Sequence, residues 1–467
     1  MAGLVAAFEL RNAGYKVKIL EFNDRAGGRN WTIHGGDTYT ELGGFKQDCT
    51  FDKDNYINPG PWRIPFHHHA LLDYCRRLKV MLEPFIQYDY NAFLHSADYF
   101  DGKPQRLRHI RSDYYGHTSE LLAKAVNANH LDDALSKEDQ EIMLESLRTL
   151  GALNKDLKYE KGASASAFRG FDVDPGGGLQ PLAEDSTPIG LKEVLNSRLW
   201  SNMGIHNMYE FQQTMFQPVG GMGKIGEAFG KELGDVIRYH SQVMAVDQND
   251  EGVTVHFEDT ESGEKLTETA DWCVCTIPLS ILSQLDVKVG KSLKGAIDAV
   301  PYAPSVKVGG EFKRRFWEED DSIFGGISYT DMPITQISYP SSNYFDKGPG
   351  VLLMAYMFGP DAVEISSMEP QERVKMAVEL GSKIHPQYAE EFKSGISVAW
   401  HRVPWVLGCY GMWTESRRKE HYENLCAIDG RVVLAGEHAS YINAWQEGAI
   451  LSSLDAITRL HAHATKA

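Results

Sequence analysis

The sequence is short of cysteine, of long apolar runs and of basic residues, and each shortage excludes a class of protein. Six cysteines in 467 residues are too few for a disulfide scaffold. No apolar run reaches the roughly 18 residues of a membrane-spanning helix, and Glu9, Arg11 and Asn12 interrupt the first apolar stretch before a secretory core could form. Basic residues number 47 against 64 acidic ones, and the net charge of -17 argues against nucleic acid or an anionic membrane as partner. We expect a soluble globular protein, in the cytoplasm rather than secreted, that binds small molecules.

Two clusters of metal-type side chains are better explained without a metal. Cys273 and Cys275 lie within the apolar run 272–277, which favours a buried strand over a metal site. The triplet His67, His68 and His69 cannot converge on one ion, because adjacent side chains point apart in a helix or a strand. Capping or channel roles suit the histidines better. We therefore expect no metal.

The pattern of apolar residues predicts an α/β protein in which helices and strands alternate. The start reads as a helix over 2–13, a strand over 16–21 and a glycine-rich turn over 24–29, which is half of a dinucleotide-binding unit. Helical patterns at 107–154 and 191–215 flank a stretch rich in glycine, proline and acids at 162–188, predicted to be a long exposed loop. Further strands are predicted at 243–246, 253–257, 272–277, 305–312 and 431–435, and a last helix at 447–462.

The first forty residues indicate a nucleotide site. Glu21 ends the first predicted strand, where a carboxylate can accept hydrogen bonds from both ribose hydroxyls. Gly27 and Gly28 follow with Arg29, which offers close backbone approach and a guanidinium suited to a diphosphate. Of the usual three-glycine turn only the last, Gly3, is present. We expect the first strand and two glycines to lie just before Met1; a chain truly without them should be poorly stable and bind its nucleotide weakly.

These motifs, together with several later ones, give the sequence a family resemblance. It resembles the flavin-containing amine oxidase family, which includes the monoamine oxidases, and within that family it is most similar to L-amino-acid oxidases. The resemblance extends over nearly the whole chain. It is carried by Glu21, Gly27-Gly28-Arg29, Glu41-Leu42-Gly43-Gly44, Gly60-Pro61-Trp62-Arg63, Ser305-Val306-Lys307-Val308, Tyr339-Pro340-Ser341, Leu434-Ala435-Gly436-Glu437 and Ala444-Trp445-Gln446-Glu447.

The resemblance implies an α/β fold with three parts. A Rossmann-like FAD-binding domain would comprise residues 1–45, 218–300 and 425–467. A substrate-binding domain built on a mixed sheet would comprise residues 46–105 and 301–424. A helical insertion over residues 106–217 would help to form an entry channel.

The same resemblance implies FAD as a noncovalent cofactor. Glu21 would hold the adenosine ribose, Arg29 the diphosphate, Val243 the adenine through its backbone, and Glu437 the ribityl or phosphate region. The flavin would be lined by Gly43, Gly44, Trp62 and Ala449. The remaining expected cofactor contacts are Gly3, Gly27, Gly28, Arg63, Trp405, Gly436, Trp445 and Gln446. Cys409 matches the position at which monoamine oxidases attach flavin through a thioether, so covalent attachment stays an alternative.

The resemblance also implies a set of catalytic residues. Arg63 would bind the substrate carboxylate with Tyr339 as its second ligand, and Lys307 would hold a water near flavin N5. Trp445 and Tyr410 would form aromatic walls. Each of these side chains also has an ordinary structural explanation as a surface arginine, a strand-edge lysine or a core aromatic. His206 is a candidate general base.

The implied function is oxidative deamination of L-amino acids with hydrophobic or aromatic side chains. The partners would be the amino acid and molecular oxygen, and we expect a homo-oligomer. Three alternatives stay open: an oxidase of monoamines or polyamines without a carboxylate, a flavin monooxygenase acting on amino acids, and a flavoprotein that has lost turnover.

Overall fold

A computed structural model describes residues 1–131 and 135–465 of the chain. Its α-helices are α1 Ala2–Asn12, α2 His69–Arg77, α3 Leu107–Asn127, α4 Lys137–Leu150, α5 Ala163–Arg169, α6 Leu191–Ser197, α7 Gly223–Leu233, α8 Leu279–Leu282, α9 Lys291–Asp298, α10 Phe316–Glu319, α11 Gly359–Ser366, α12 Pro370–Gly381, α13 Tyr388–Glu391, α14 Glu415–Cys426 and α15 Gln446–Ala464. Within the described residues, no helix is long and apolar enough to cross a membrane.

The strands are mostly short. They are β1 Ile19–Leu20, β2 Ile33–His34, β3 Thr38–Thr40, β4 Lys46–Asp48, β5 Tyr56–Ile57, β6 Ile64–Pro65, β7 Leu82–Phe85, β8 Phe93–His95, β9 Gln105–Arg106, β10 Phe171–Val173, β11 Glu184–Asp185, β12 Met215–Pro218, β13 Ile237–Arg238, β14 Ser241–Gln248, β15 Val253–Asp259, β16 Lys265–Ala270, β17 Cys273–Cys275, β18 Asp286–Val287, β19 Ser305–Phe312, β20 Ile327–Thr330, β21 Gln336–Ser338, β22 Gly350–Phe358, β23 Phe392–Ala399 and β24 Val432–Leu434.

Two parallel strand pairs join the beginning, middle and end of the chain. β1 pairs with β13 with Ile19 opposite Ile237, and β17 pairs with β24 with Cys273 opposite Val432. Helix α1 packs on α15, where the Ser453 hydroxyl donates to the Ala2 carbonyl oxygen at 2.8 Å. Parallel strands far apart in sequence and covered by helices are the Rossmann-like arrangement that the start of the sequence predicts.

Beside these pairs lies a separate four-stranded sheet in the order β16-β15-β14-β18. Neighbouring strands β14, β15 and β16 pair antiparallel, whereas β18 adds in parallel to β14. Its apolar face packs with β17, α8 and α9 in one cluster that includes Val246, Phe257 and Leu293. The predicted strands at 243–246 and 253–257 therefore lie inside longer observed strands.

The largest sheet is mixed and has the strand order β23-β19-β22-β21-β20-β8-β9. Its central strand β19 coincides with the predicted strand at 305–312, and all eight of its residues are buried. One face is covered by α10 to α13 around Trp317, Phe312 and Tyr388. Because β19 is buried on both faces, it fixes Lys307 firmly in the interior.

A small antiparallel sheet of order β6-β12-β7 lies between the mixed sheet and the helical region. Met215 of β12 is opposite Pro65 on one side and Phe85 on the other. Arg63 immediately precedes β6, and Gln87 follows β7 by two residues. The sheet thereby draws these two polar side chains toward one place.

The region 106–217 is largely helical, with two differences from the sequence prediction. The predicted helical stretch 191–215 is α-helical only to Ser197, continues as 3-10 turns and ends where Met215 begins β12. Residues 162–188, predicted to be a loop, contain the short helix α5 and the β10–β11 hairpin. Helix α5 is fixed because Arg169, nearly fully buried, donates to Asp113 of α3 at 2.8 Å. The apolar pattern of 162–188 is too weak to reveal a helix that depends on one buried ion pair. The boundaries of the three predicted domains stay a prediction.

Candidate active site

The carboxyl ends of β1, β17 and β24 open onto one elongated cavity of about 260 Å³. The amino-terminal ends of α1 and α15 also reach it, and helix amino termini favour anionic groups such as phosphates. Strand carboxyl ends and helix amino termini form the crevice in which parallel sheets bind dinucleotides. The expected cofactor residues that line this cavity are Gly3, Glu21, Gly27, Gly28, Arg29, Val243, Trp405, Gly436, Glu437, Trp445, Gln446 and Ala449.

Two glycines at the cavity leave little room for a side chain, and the backbone of Gly27 also requires glycine. Gly27 has a φ of +111°, and a Cβ there would lie 2.7 Å from the Asn30 carbonyl oxygen. A Cβ on Gly3 would lie 3.0 Å from the Thr276 hydroxyl oxygen. Side chains at these positions would also keep a ligand away from the backbone. Both glycines therefore permit the close approach that a diphosphate needs.

An ion pair in the cavity wall joins two parts of the chain that are far apart in sequence. Arg29 Nη1 donates to Glu437 Oε1 at 2.8 Å and to the Cys409 carbonyl oxygen at 2.6 Å. Burial alone would lower the pKa of Arg29, but the Glu437 carboxylate outweighs it and raises that pKa above its usual range. Glu437 also accepts from the backbone amides of Gly411 and Ala444, each at 3.1 Å. The guanidinium stays charged and is held in place at the cavity.

Buried polar atoms without partners mark where a ligand is needed. Asn30 Oδ1 and Gln446 Oε1 are buried and accept no hydrogen bond from residues 1–131 or 135–465, although both residues line the cavity. Glu21, at the end of β1, is oriented by Asn23, whose backbone and side-chain nitrogens donate to Oε1 at 2.9 and 2.6 Å. Because an unpaired buried acceptor costs about 1–3 kcal/mol, these atoms indicate a polar ligand.

Lys307 is a buried lysine that has no carboxylate partner within the part of the chain that the structure describes. It is 1% exposed, and its Nζ donates to the carbonyl oxygens of Gly60 at 2.5 Å and Asn58 at 3.2 Å. The ammonium also lies 4.8 Å from the Trp62 ring centre and 4.3 Å from that of Tyr356. Burial lowers the pKa of Lys307 to about 7, so this amine can gain or lose a proton near neutral pH.

Arg63 lies beside this lysine in an aromatic setting. Its guanidinium is 5.0 Å from the Trp62 ring centre and 4.6 Å from that of Phe211. Nη1 donates to Gln87 Oε1 at 2.8 Å, whereas Nε is buried without a partner. Within the described residues, no aspartate or glutamate forms a salt bridge with Arg63. Burial lowers the pKa of Arg63, yet a guanidinium remains protonated in proteins.

Tyr339 does not meet Arg63 in the structure. Its hydroxyl is bonded to His385 Nε2 at 2.6 Å and to Ser328 Oγ at 2.7 Å, and the residue is 1% exposed. His385 in turn contacts Asp321 at 2.9 Å. The expected role of Tyr339 as second carboxylate ligand is therefore not supported by its position, because its hydroxyl is already used inside the mixed sheet. We leave it out of the proposed site.

Comparison with known proteins identifies the family, which the geometry alone does not give. The family model described as "Flavin containing amine oxidoreductase" matches residues 1–460. The chain belongs to this family. The "Putative L-amino-acid oxidase YobN" of Bacillus subtilis (strain 168) is 31% identical, over 97% of this chain and 91% of that relative. The L-amino-acid oxidase of Siganus canaliculatus is 28% identical, over 99% and 84%.

Solved structures with the same fold are more distant in sequence. Cyclohexylamine oxidase from Brevibacterium oxydans IH-35A has a TM-score of 0.64 at 17% identity, with 99% of this chain and 97% of that one covered. Putrescine oxidase bound to putrescine has a TM-score of 0.63 at 16% identity, with the same coverage. These likenesses confirm the predicted fold class of an FAD-dependent amine oxidase.

FAD is the cofactor of this amine oxidoreductase, and the cavity residues fit it. The glycines at 3, 27 and 28 leave backbone exposed for the diphosphate, and Arg29 supplies a fixed positive charge. Glu21 stands at the strand end where a ribose would lie. The unpaired Asn30 and Gln446 oxygens can each accept a hydrogen bond from a bound ligand.

Three residues expected to line the flavin lie outside the cavity, and so does Arg63, which was also expected to contact the cofactor. Gly43 and Gly44 form the turn between β3 and β4, which is anchored because Arg373 donates to both Glu41 oxygens at 2.8 Å. Trp62 lies behind the cavity, packed on Tyr356 with ring centres 5.4 Å apart. Trp62 contacts Lys307 and therefore lies next to the site. Gly43 and Gly44, in contrast, belong to a structural turn that holds a buried ion pair.

The aromatic residues expected at the site differ in whether they line the cavity. Trp405 and Trp445 line the cavity, and Trp405 contacts Phe22 with the two rings tilted and their centres 5.4 Å apart. Tyr410 is half-buried and is not part of the cavity lining. Its neighbour Cys409 does line the cavity, and burial raises the pKa of that thiol. A neutral thiol is a poor nucleophile, which favours noncovalent FAD.

The histidines flank the arginine side of the site. Both ring nitrogens of His206 are buried and have no hydrogen-bond partner among the described residues, and the ring centre lies 4.1 Å from that of Tyr88. Burial, and then the charge of Arg63, lowers the pKa of His206 to about 3, so this imidazole is neutral at physiological pH. His67 stacks on Tyr209 at 4.2 Å. Across the described ranges, no group of three or more histidine, cysteine, aspartate or glutamate side chains could hold a metal ion.

Two residues of the site were not found from the sequence. Gln87 and Tyr356 both contact the Arg63–Lys307 region, the first by a hydrogen bond and the second through its ring. Along β22, Tyr356 alternates with inward-facing residues. This pattern points to a site residue only when the strand register is known, and the sequence does not give the register. For Gln87 the sequence offers no signal, since an isolated glutamine after a short strand is commonplace.

Proposed function

We propose that this protein is an FAD-dependent L-amino-acid oxidase. An L-amino acid, oxygen and water would give a 2-keto acid, ammonia and hydrogen peroxide. The substrates would be neutral amino acids with hydrophobic or aromatic side chains. Two curated relatives that carry L-amino-acid oxidase names, and that match over nearly the whole chain, support the proposal.

The unpaired charge of Arg63 is the observation that carries the proposal. Arg63 is half-buried, and its guanidinium lies between two rings and an amide. Taking a cation out of water without a counter-ion is costly. A carboxylate 4 Å away would gain about 4 kcal/mol at an effective dielectric constant near 20. An amine that lacks the carboxylate would bring its own positive charge and gain nothing. Arg63 thus favours amino acids over simple amines.

The surrounding side chains would orient the substrate and exclude water. Trp62 and Phe211 bracket the guanidinium, and a carboxylate fixed there restricts how the Cα hydrogen can face the flavin. FAD held by the residues of the cavity would supply the redox chemistry, namely acceptance of the Cα hydride and transfer of the electrons to oxygen. Lys307, with its pKa near 7, would hold or move a proton at Nζ during the oxygen half of the cycle.

The neighbours of Arg63 also support a neutral substrate side chain. They include the aromatic ring of Tyr329 and the neutral imidazole of His206, whose ring centres lie 5.8 Å apart. Arg63 is the charged group that influences the pKa of both residues. A lysine or arginine substrate would have to place a second cation here without compensation. We therefore propose that the substrates carry aromatic or aliphatic side chains.

The decisive experiment is anaerobic reduction of the purified yellow protein. L-phenylalanine should bleach the flavin absorbance, whereas phenethylamine and D-phenylalanine should not. Bleaching by phenethylamine alone would reassign the protein to amine oxidation. Product analysis in air separates the other alternative, because a monooxygenase would form the amide in place of the keto acid. Light scattering of the same sample tests the predicted homo-oligomer.

A further inference from the structure

Glu447 caps a helix to which it does not belong. It lies in the first turn of α15 and is 4% exposed. Its Oε1 accepts from the backbone amide of Ala70 at 3.0 Å, and its Oε2 accepts from that of Leu71 at 2.8 Å. Both amides belong to the first turn of α2, where a helix leaves its backbone donors without intrahelical partners. One carboxylate therefore satisfies two donors that lie 377 and 376 positions away in sequence.

The amino end of α2 depends on this carboxylate. His68 occupies the position from which a side chain usually caps the first turn, but within the described residues its imidazole makes no capping hydrogen bond. The amino termini of α2 and α15 each carry a partial positive charge, and the carboxylate of Glu447 lies at both. Without it, two amides of α2 would lose their acceptor and the two positive helix ends would repel each other. Glu447 therefore holds α2 against α15.

This contact between the two helices lies next to the FAD cavity. Trp445 and Gln446 immediately precede Glu447 in sequence, and both line the cavity. The ring of Trp445 meets that of His68 edge-on, with ring centres 5.0 Å apart. The residue before α15 thus packs on the residue before α2. A shift of α2 relative to α15 would displace the cavity wall at Trp445.

We propose that Glu447 is a positioning residue for the cofactor site, which clamps α2 to α15 and thereby holds Trp445 and Gln446 where FAD needs them. Among the described residues that line the cavity Glu447 is not included, so it acts through these two neighbours. Coupling of this kind is reciprocal: FAD must tighten the clamp by the factor by which the clamp tightens FAD binding. The proposal concerns the cofactor alone and holds for any amine substrate.

Two variants that each weaken one helix cap test the proposal. Glu447→Gln keeps the size of the side chain but replaces one acceptor oxygen with an NH2 group, which then faces a backbone donor. It should raise the dissociation constant of FAD, titrated into the apoprotein, about tenfold or more, and change the visible circular dichroism of bound flavin. Ser136→Ala is the matched control, because Ser136 caps α4 by accepting from the Asp139 amide at 3.1 Å.

Both variants should lower the melting temperature by about 1–2 °C, because each loses capping of one helix. Ser136→Ala should nevertheless leave FAD affinity and flavin circular dichroism unchanged. If Glu447→Gln loses the same stability but binds FAD as wild type does, Glu447 is an ordinary helix cap and the proposal is overturned.

Hydrogen exchange in the wild-type protein tests the same coupling without a variant. Helix ends exchange by local opening, so FAD added to the apoprotein should slow exchange at the amides of Ala70 and Leu71 about tenfold or more. The amide of Asp139, which Ser136 caps, is the internal reference and should exchange at the same rate in both states. Exchange at Ala70 and Leu71 that does not respond to FAD, or that slows only as much as the reference, would overturn the proposal even if Glu447→Gln failed to fold.

Discussion

Replacing Lys307 by methionine should change how stability depends on pH. The side chains have similar size, but only lysine can carry a charge, and Lys307 is buried with two carbonyl oxygens as its hydrogen-bond partners. Burial lowers its pKa from 10.5 to about 7 in the folded protein. Between these two values the unfolded chain binds a proton that the folded chain does not. Wild-type stability therefore rises with pH across this window, and the methionine variant lacks the effect.

The size of the effect follows from the shift. Each pH unit inside the window is worth about 1.36 kcal/mol, so the stability advantage of Lys307→Met should shrink by about 2.7 kcal/mol between pH 7.5 and pH 9.5. A chain of this length has an unfolding entropy of about 1 kcal/mol per kelvin. The gap between the melting temperatures of variant and wild type should then narrow by about 3 °C.

Differential scanning calorimetry at matched scan rates from pH 7.5 to 9.5 measures this gap. The exposed Lys347→Met serves as the control, and its gap to wild type should stay constant. Packing differences shift the Lys307→Met curve by a constant amount and do not affect the slope. A gap that is independent of pH would show that the buried amine does not titrate in this range, and the reasoning from its surroundings would be refuted.

Three further results are expected. Glu21→Ala should weaken FAD binding about 10- to 150-fold in a titration of the apoprotein, since a hydrogen-bonded ionised group contributes about 1.5–3 kcal/mol. Acid precipitation should release all flavin from wild type and from Cys409→Ser alike, because burial keeps the thiol neutral. Arg373→Met should destabilise the protein by about 3–5 kcal/mol because it leaves the buried Glu41 with only the longer ion pair to Arg402 at 3.8 Å, and the added change Glu41→Leu should recover most of that loss.

Each of these three has a clear contrary outcome. Unchanged FAD affinity in Glu21→Ala would mean that the ribose lies elsewhere. Flavin that stays with wild-type protein but leaves Cys409→Ser would establish the thioether. A double variant at Glu41 and Arg373 that is no more stable than Arg373→Met, in urea unfolding, would show that packing rather than the stranded charge sets the cost.

The FAD side of the site could be predicted well from sequence because its signals are local. Glu21, Gly27, Gly28 and Arg29 lie within nine residues of one another, at a strand end and the turn after it. Backbone requirements there, such as the positive φ of Gly27, restrict the residue type directly. The motif around Gly436 and Glu437 has the same character, and both residues line the cavity.

The substrate side was less predictable because it depends on contacts between distant segments. Arg63 and Gln87 meet only because β6 and β7 flank β12, more than 120 residues later in the chain. Tyr339 follows a short strand of the mixed sheet, and no local pattern tells which way its hydroxyl points. Gly43 and Gly44 match a family motif. The turn beside Glu41 explains the two glycines as well as a cofactor contact would.

The pairing of Arg29 with Glu437 has a consequence for how the protein is made. The two residues are separated by 408 positions, and the cavity they share also needs β24 and the start of α15. During synthesis the glycine turn at residues 27–28 emerges long before β24 and α15. The cavity therefore cannot form at that stage. FAD can load only when almost the entire chain has been translated, and a nascent chain that stalls before residue 437 should be released without cofactor and remain open to proteases.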